Sequence, residues 1–198
     1  MAGKYLQTHF TPNVLAAQRH FYGQAQSLPP QPAQDALTAE EIEFIAQRDS
    51  FYMATVTGDG WPYLQHRGGP AGFLQVVGPN QLAFADLRGN RQLLTTGNLT
   101  DNNRVALFLM DYPQRTRLKL MGHATVLDAR EHPDMAAALT AASDRKRVER
   151  IFQLDVISFD WNCPQYITPR FTEAEVRTAM EPLHQRIAQL EAELRARA

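Results

Sequence analysis

Two arginine-bearing turns are where this sequence could do chemistry: Gln65-His66-Arg67-Gly68-Gly69-Pro70 and Arg88-Gly89-Asn90-Arg91-Gln92. Each follows a strand-like run, and the second leads directly into a helix-like one. Glycine leaves backbone N–H groups uncovered, a helix N-terminus carries partial positive charge, and a guanidinium fork matches an anion's oxygens in pairs. Together these make a cradle for a phosphate, and so for a phosphorylated cofactor. The competing explanation is two ordinary turns whose arginines are solvated or tied to Asp86 or Asp111 by salt bridges.

The other reactive side chains are dispersed. His66 would serve as a hydrogen-bond donor or proton relay, or as plain strand-end packing. His9, His20, His123, His132 and His184 lack metal-ligand spacing, so no metal is expected. Cys163 stands alone, which leaves no intramolecular disulfide. Lysine, arginine and histidine are missing from the five residues before it, and a buried inert thiol is favoured over a reactive one. Trp61 and Trp161 would fill cores or interfaces, or stack on a planar ligand. Arg145-Lys146-Arg147 with Arg150 reads as a solvated helix face. Neither a serine-centred elbow nor Gly-x-Gly-x-x-Gly occurs, so no separate nicotinamide domain is expected.

The elements that must position these residues follow from the pattern around them. The chain has 198 residues, 44% hydrophobic and 21% charged, which suits a globular protein with a sizeable core. A formal charge of −1 offers no electrostatic case for nucleic acid. No apolar run reaches the roughly 20 residues of a membrane-spanning helix, and Met1 to Phe10 is polar. A cytoplasmic protein without membrane contact is the expectation.

Thr11 and Pro12 open a helix expected over 11–26. Pro29, Pro30 and Pro32 make an extended connector. Thr38 and Glu41 match a capping box for a second helix ending near Asp49. Strands are expected over 51–57, 63–67, 73–77, 81–86, 105–110 and 117–127, with another within 148–160. The strand 105–110 is apolar enough to suggest burial on both faces. Short helices are expected over 90–99, broken at Gly97-Asn98, and over 134–142. Many short strands joined by Gly, Pro and Asn turns indicate a closed antiparallel barrel. From Thr172 onward one helix carries Val176, Met180, Leu183, Ile187, Leu190 and Leu194 as a heptad seam, with a kink or restart expected at Pro182. That seam would cover the chain's own barrel or pair with another chain.

The ordered series Phe51–Thr57, Gly58-Asp59-Gly60-Trp61-Pro62-Tyr63, Gln65–Pro70, Asp86–Arg91, Gly97-Asn98-Leu99 and Asn103–Phe108 resembles the pyridoxamine 5′-phosphate oxidase-like flavoproteins. The resemblance covers roughly residues 38–168. It implies an α+β, mainly antiparallel fold: a split β-barrel with peripheral helices and a long C-terminal helix. The expected divisions are 1–37 (N-terminal helix and connector), 38–170 (FMN-binding barrel) and 171–198 (C-terminal helix). It also implies a homodimer with FMN at the subunit interface. Arg67 resembles the family's strand-end phosphate ligand, and Asn90, Arg91 and Gln92 its phosphate-binding turn. Gln65, His66, Ala85 and Asp86 would line the flavin; Arg117, Trp161, Asn162 and Cys163 would approach it from the partner subunit. The implied activity is an FMN-dependent oxidation or reduction of a small molecule or NAD(P)H; the alternative is a non-catalytic flavin carrier, sensor or partner protein. The segment Cys163-Pro164-Gln165-Tyr166-Ile167-Thr168-Pro169-Arg170 departs from the substrate-gripping segment of true pyridoxamine-phosphate oxidases, which argues against vitamin B6 oxidation.

Overall fold

Alternating apolar residues set the architecture. In the computed structural model, residues 3–161 and 164–197 are described. Strands β1 (Ser50–Val56), β2 (Pro62–Gly68), β3 (Gln75–Gly78), β4 (Gln81–Leu87), β5 (Arg104–Asp111), β6 (Thr116–Asp128) and β7 (Val148–Trp161) form one antiparallel sheet in the order β2-β1-β5-β6-β7-β4-β3. Phe51 and Met53 of β1, Leu107 and Leu109 of β5, Leu118 and Leu120 of β6, and Phe152 and Leu154 of β7 point inward and are almost fully buried. The sheet curls until distant strands share this core. Phe51 of β1 lies 5.4 Å, centroid to centroid, from Phe84 of β4, although β5, β6 and β7 separate them in the ladder.

The result is an α+β split barrel. It is not closed as the strand pattern suggested: β2 and β3 are its two edges and share no ladder. Strand β5 is buried on one face only. Val105, Leu107 and Leu109 are inside, whereas Ala106, Phe108 and Met110 are partly or largely exposed. Between Met121 and Gly122 the β6–β7 register shifts by one residue, and a Cβ at Gly122 would run into the Asp155 carbonyl oxygen.

The helices differ from the sequence-based bounds for local reasons. An unpredicted helix α1 (Gly3–His9) packs on β7, and Lys119 of the neighbouring β6 lies 4.8 Å from the Tyr5 ring centroid. Helix α2 (Pro12–Tyr22) starts at the Thr11 cap, as expected, but stops at Gly23, whose φ of 77° closes it. Helix α3 (Ala39–Ala46) starts at the expected capping box and stops short of Asp49. Helix α4 (Leu94–Asp101) begins later than expected and runs through Gly97-Asn98. Asn90 Oδ1 accepts the Gln92 N–H, and Arg91 and Leu93 adopt φ of 60° and 58°, which holds this stretch out of the helix. Helix α5 (Pro133–Ala138) is shorter than expected. Helix α6 (Glu173–Arg197) is one continuous helix with Pro182 inside it, so of the expected kink or restart the restart does not occur. None of its residues is buried, so among the described residues the seam does not cover its own barrel.

Glu41 ties α3 to the end of β7. Its Oε2 accepts from the Thr38 N–H and hydroxyl, and its Oε1 accepts from Trp161 Nε1 at 2.6 Å. Burial raises the Glu41 pKa, but the bonds from Thr38 and Trp161 outweigh it and hold the carboxyl below its ordinary value. A lowered folded pKa stabilises above the unfolded value and is lost as pH falls through the folded one. Glu41→Gln is expected to lower the unfolding free energy by about 1–3 kcal/mol at neutral pH. In urea melts that deficit should shrink as pH drops below the carboxylate range; a pH-independent deficit would contradict the assignment.

Candidate functional site

Strands β2 and β4 come together where the barrel is split. Along β2 alternate residues face opposite ways, so Tyr63, Gln65 and Arg67 point inward and Leu64, His66 and Gly68 outward. Arg67 Nη1 donates to Asp86 Oδ1 of β4 at 2.6 Å. The other Asp86 oxygen accepts from Arg150 Nε and Nη2 of β7 at 2.9 and 2.7 Å. The three side chains are only 12–18% exposed. The Arg67 guanidinium also lies over the Phe84 and Phe152 rings, 5.8 and 5.0 Å from their centroids. The network continues outward, because Glu149 accepts from both Arg150 and Arg91.

Beside this network is a polar cavity of about 190 Å³, lined by Gln65, Arg67, Asp86, the loop from Gly89 to Leu93, the first turn of α4 and Arg150. Its charged lining is three guanidiniums, Arg67, Arg91 and Arg150, against one carboxylate, Asp86. Three features of it suit an anion. Arg67 Nε is buried without a hydrogen-bond partner among the described residues. Burial pulls the Arg67 pKa down, and the Asp86 charge restores only part of it, so the cation is incompletely compensated. Helix α4 starts from Leu93, which supplies no capping side chain, so its first-turn N–H groups lack the usual acceptor. Leu93 reaches that position in a left-handed conformation that a bulky side chain rarely adopts.

A larger cavity of about 530 Å³ adjoins the first across Arg67, Asp86 and Leu87. His66, Phe73, Phe84, Ala85 and Leu139 contribute to its lining, with the Gly68–Gly72 loop. His66 packs edge-on against Tyr52 on the outer face rather than beside Arg67's guanidinium.

Of the sequence-predicted residues, Gln65, His66, Arg67, Ala85, Asp86, Asn90, Arg91 and Gln92 therefore surround these two adjoining cavities. Gln65 accepts a hydrogen bond from Thr95 Oγ1 at 2.8 Å, which fixes α4 against β2. Arg117 and Trp161 lie elsewhere in this chain. Arg117 sits over the Phe108 ring, and Trp161 packs on Phe44 and donates to Glu41. Trp161 is eleven residues along β7 from Arg150, roughly 35 Å of extended strand. Asn162 and Cys163 lie outside the described residues.

Sequence reasoning missed Arg150, grouped with Arg145–Arg147 as a solvated helix face. It is a strand residue, paired with Asp86 across the ladder. Thr95 was also missed. The signal for Arg150 was its position two residues after Val148, at the start of a β-branched run. The salt bridge from Arg67 to Asp86, weighed as an alternative to anion binding, is present. It does not use up the site's positive charge, because Asp86 and Glu149 together face three arginines.

The sequence matches the family model of pyridoxamine 5′-phosphate oxidase over residues 18–160. Among solved structures it is similar to a conserved hypothetical protein from Mycobacterium tuberculosis: 14% identity, 73% of this chain and 96% of that one covered, TM-score 0.51. It is also similar to general stress protein 26 from Bacillus anthracis (15% identity, 67% and 95% covered, TM-score 0.47). A third is an FMN-binding protein from Syntrophomonas wolfei (8% identity, 63% and 87% covered, TM-score 0.44). At such identities the likeness is one of fold, which the first of the three carries. No curated protein matches the chain. No helix among the described residues is long and apolar enough to cross a membrane.

Asp86→Asn removes the one anion between two partly buried guanidiniums. It is expected to lower stability by about 2–4 kcal/mol. Millimolar inorganic phosphate should then raise the melting temperature of the variant more than that of the wild type, since the cavity becomes more positive. Phosphate without effect on either protein would contradict an anion site.

Proposed function

Because this chain belongs to the pyridoxamine 5′-phosphate oxidase family, we propose that it is an FMN-dependent oxidoreductase acting on a small molecule or on NAD(P)H. The observation that carries this reading is the lining of the smaller cavity, three arginines answered by only two carboxylates, Asp86 and Glu149, beside an uncapped helix N-terminus. A flavin mononucleotide phosphate bears about two negative charges at neutral pH. Arg67 and Arg91 would hold it by charge-assisted bonds, with Arg150 adding charge and Asp86 keeping Arg67 in place. The backbone N–H groups of the loop from Gly89 and of the first turn of α4 would take its remaining oxygens. Asn90 and Gln92 shape that loop through their mutual hydrogen bonds.

The ring system would lie in the adjoining cavity. Ala85 leaves room for a flat ligand there, Phe73 and Phe84 keep water away, and His66 offers a ring nitrogen at its edge. FMN, when bound, supplies hydride or single-electron transfer; the protein supplies binding, orientation and electrostatics.

We also propose that the working form is a homodimer with the flavin near the subunit interface. Leu64, Tyr52 and Phe108 form a partly exposed apolar surface across the outer faces of β2, β1 and β5. A second copy seated there would bring Arg117 and Trp161, which lie away from the two cavities in their own chain, towards its flavin. Substrate phosphate recognition of the vitamin B6 oxidase kind is disfavoured. Arg170, the nearest counterpart to that segment's arginine, lies 5.0 Å over the Tyr112 ring, at the end of β5.

A non-catalytic flavin carrier is the second reading, favoured by a larger cavity whose carboxylate Asp86 is already held by Arg67 and Arg150. Anaerobic addition of NADH or NADPH to the flavin-loaded protein separates the two: bleaching supports the enzyme, and an unchanged flavin spectrum with both supports the carrier. The phosphate assignment has its own test. FMN is expected to bind at least about 100-fold more tightly than riboflavin, and Arg91→Ala to cut FMN affinity about 10-fold with riboflavin unaffected. Equal affinity of the wild type for the two flavins would contradict it.

A further inference from the structure

Helix α6 leaves the barrel with its apolar stripe uncovered. Val176, Met180, Leu183, Ile187, Leu190 and Leu194 are 42–67% exposed. They recur every four and three residues, the spacing of a two-stranded coiled-coil seam. An isolated helix of this length is marginal in water, and an open stripe of six apolar side chains adds a further cost. The N-terminus is nevertheless well made. Thr172 and Glu175 cap it reciprocally, and Glu173 pairs with Arg177 one turn on.

The residue types within the seam select the occupant. Taking Met180, Ile187 and Leu194 as the a positions puts Val176, Leu183 and Leu190 at d. A β-branched residue at the central a position, with leucine at the flanking d positions, suits a parallel dimer. The flanking charges agree. Arg186 falls at g and Glu191 at the following e, so a parallel copy sets each arginine against the other chain's glutamate, twice per dimer. An antiparallel pairing in register would place Arg186 of one chain against Arg186 of the other. Pro182 falls at c, away from the seam, so it takes no part in the apolar contacts of the stripe.

We propose that α6 is a self-association strap, pairing with α6 of a second copy of this chain as a parallel two-stranded coiled coil. The two helices then lie along a two-fold axis, and one axis serves both the helices and the barrels. The inference is independent of the flavin reading, since none of the residues lining the two cavities belongs to α6.

The test uses the full-length chain with Cys163→Ser and a spin label placed singly at Thr178→Cys, Gln185→Cys or Ala192→Cys, all on the outer face of α6. Pulsed dipolar spectroscopy should return one narrow distance, the same at all three sites. Adding L183D and L190D together should abolish that distance while the barrel's thermal transition persists. A short distance at residue 185 with longer ones at 178 and 192 means antiparallel pairing and overturns the proposal. Absent or unequal, broad distances mean that α6 covers something else, and overturn it too. A distance surviving L183D/L190D would show that the barrels alone hold the copies together, with the same consequence.

Discussion

One carboxylate holds two guanidiniums across the line where the sheet has curled back on itself. Asp86 of β4 accepts from Arg67 of edge strand β2 and from Arg150 of β7, all three largely shielded from water. The strands on either side of that line share no ladder, so side chains must close the gap that backbone hydrogen bonds leave open. Phe51, Phe73, Phe84 and Phe152 supply the apolar part of the closure beneath it. The ionic part orients the two arginines at the rim, and the position of every other group at the site is set relative to them.

The same arrangement leaves one positive charge uncompensated, since Asp86 and Glu149 face three guanidiniums. A structural clamp alone needs one arginine per carboxylate, because an unmatched partly buried cation is destabilising. Here a third arginine, an uncapped helix end and a strained Leu93 converge on the same small cavity. Such features persist where a bound anion completes them. In the reading proposed above, the clamp and the anion site are two uses of the same side chains, and the salt bridge between Arg67 and Asp86 is part of the site rather than a substitute for it.

The strands and their inward residues could be read from alternation alone, since burial on one face imposes a period of two. The split could not, because hydrogen-bonded closure depends on strand tilt and stagger, which composition does not encode. Helix α4 was displaced by an Asx turn at Asn90 and two left-handed residues, backbone choices that propensity does not anticipate. Local sequence sufficed for Gln65, Arg67 and the loop from Asn90 to Gln92, which are contiguous turns. Arg150 was hidden by its neighbours: three basic residues just before it suggested a solvated face, and only the register with Asp86 reveals its role. Arg117 and Trp161 belong to the opposite end of the strands, where only a second chain could give them the role their family likeness suggests.

Amide hydrogen exchange with and without FMN tests the central claim most directly. The amides from Asn90 to Thr96, which have few intramolecular acceptors, should gain strong protection on addition of FMN and little on addition of riboflavin. Protection confined to other parts of the barrel, with exchange from 90 to 96 unchanged, would contradict an account in which this loop and the first turn of α4 receive the phosphate.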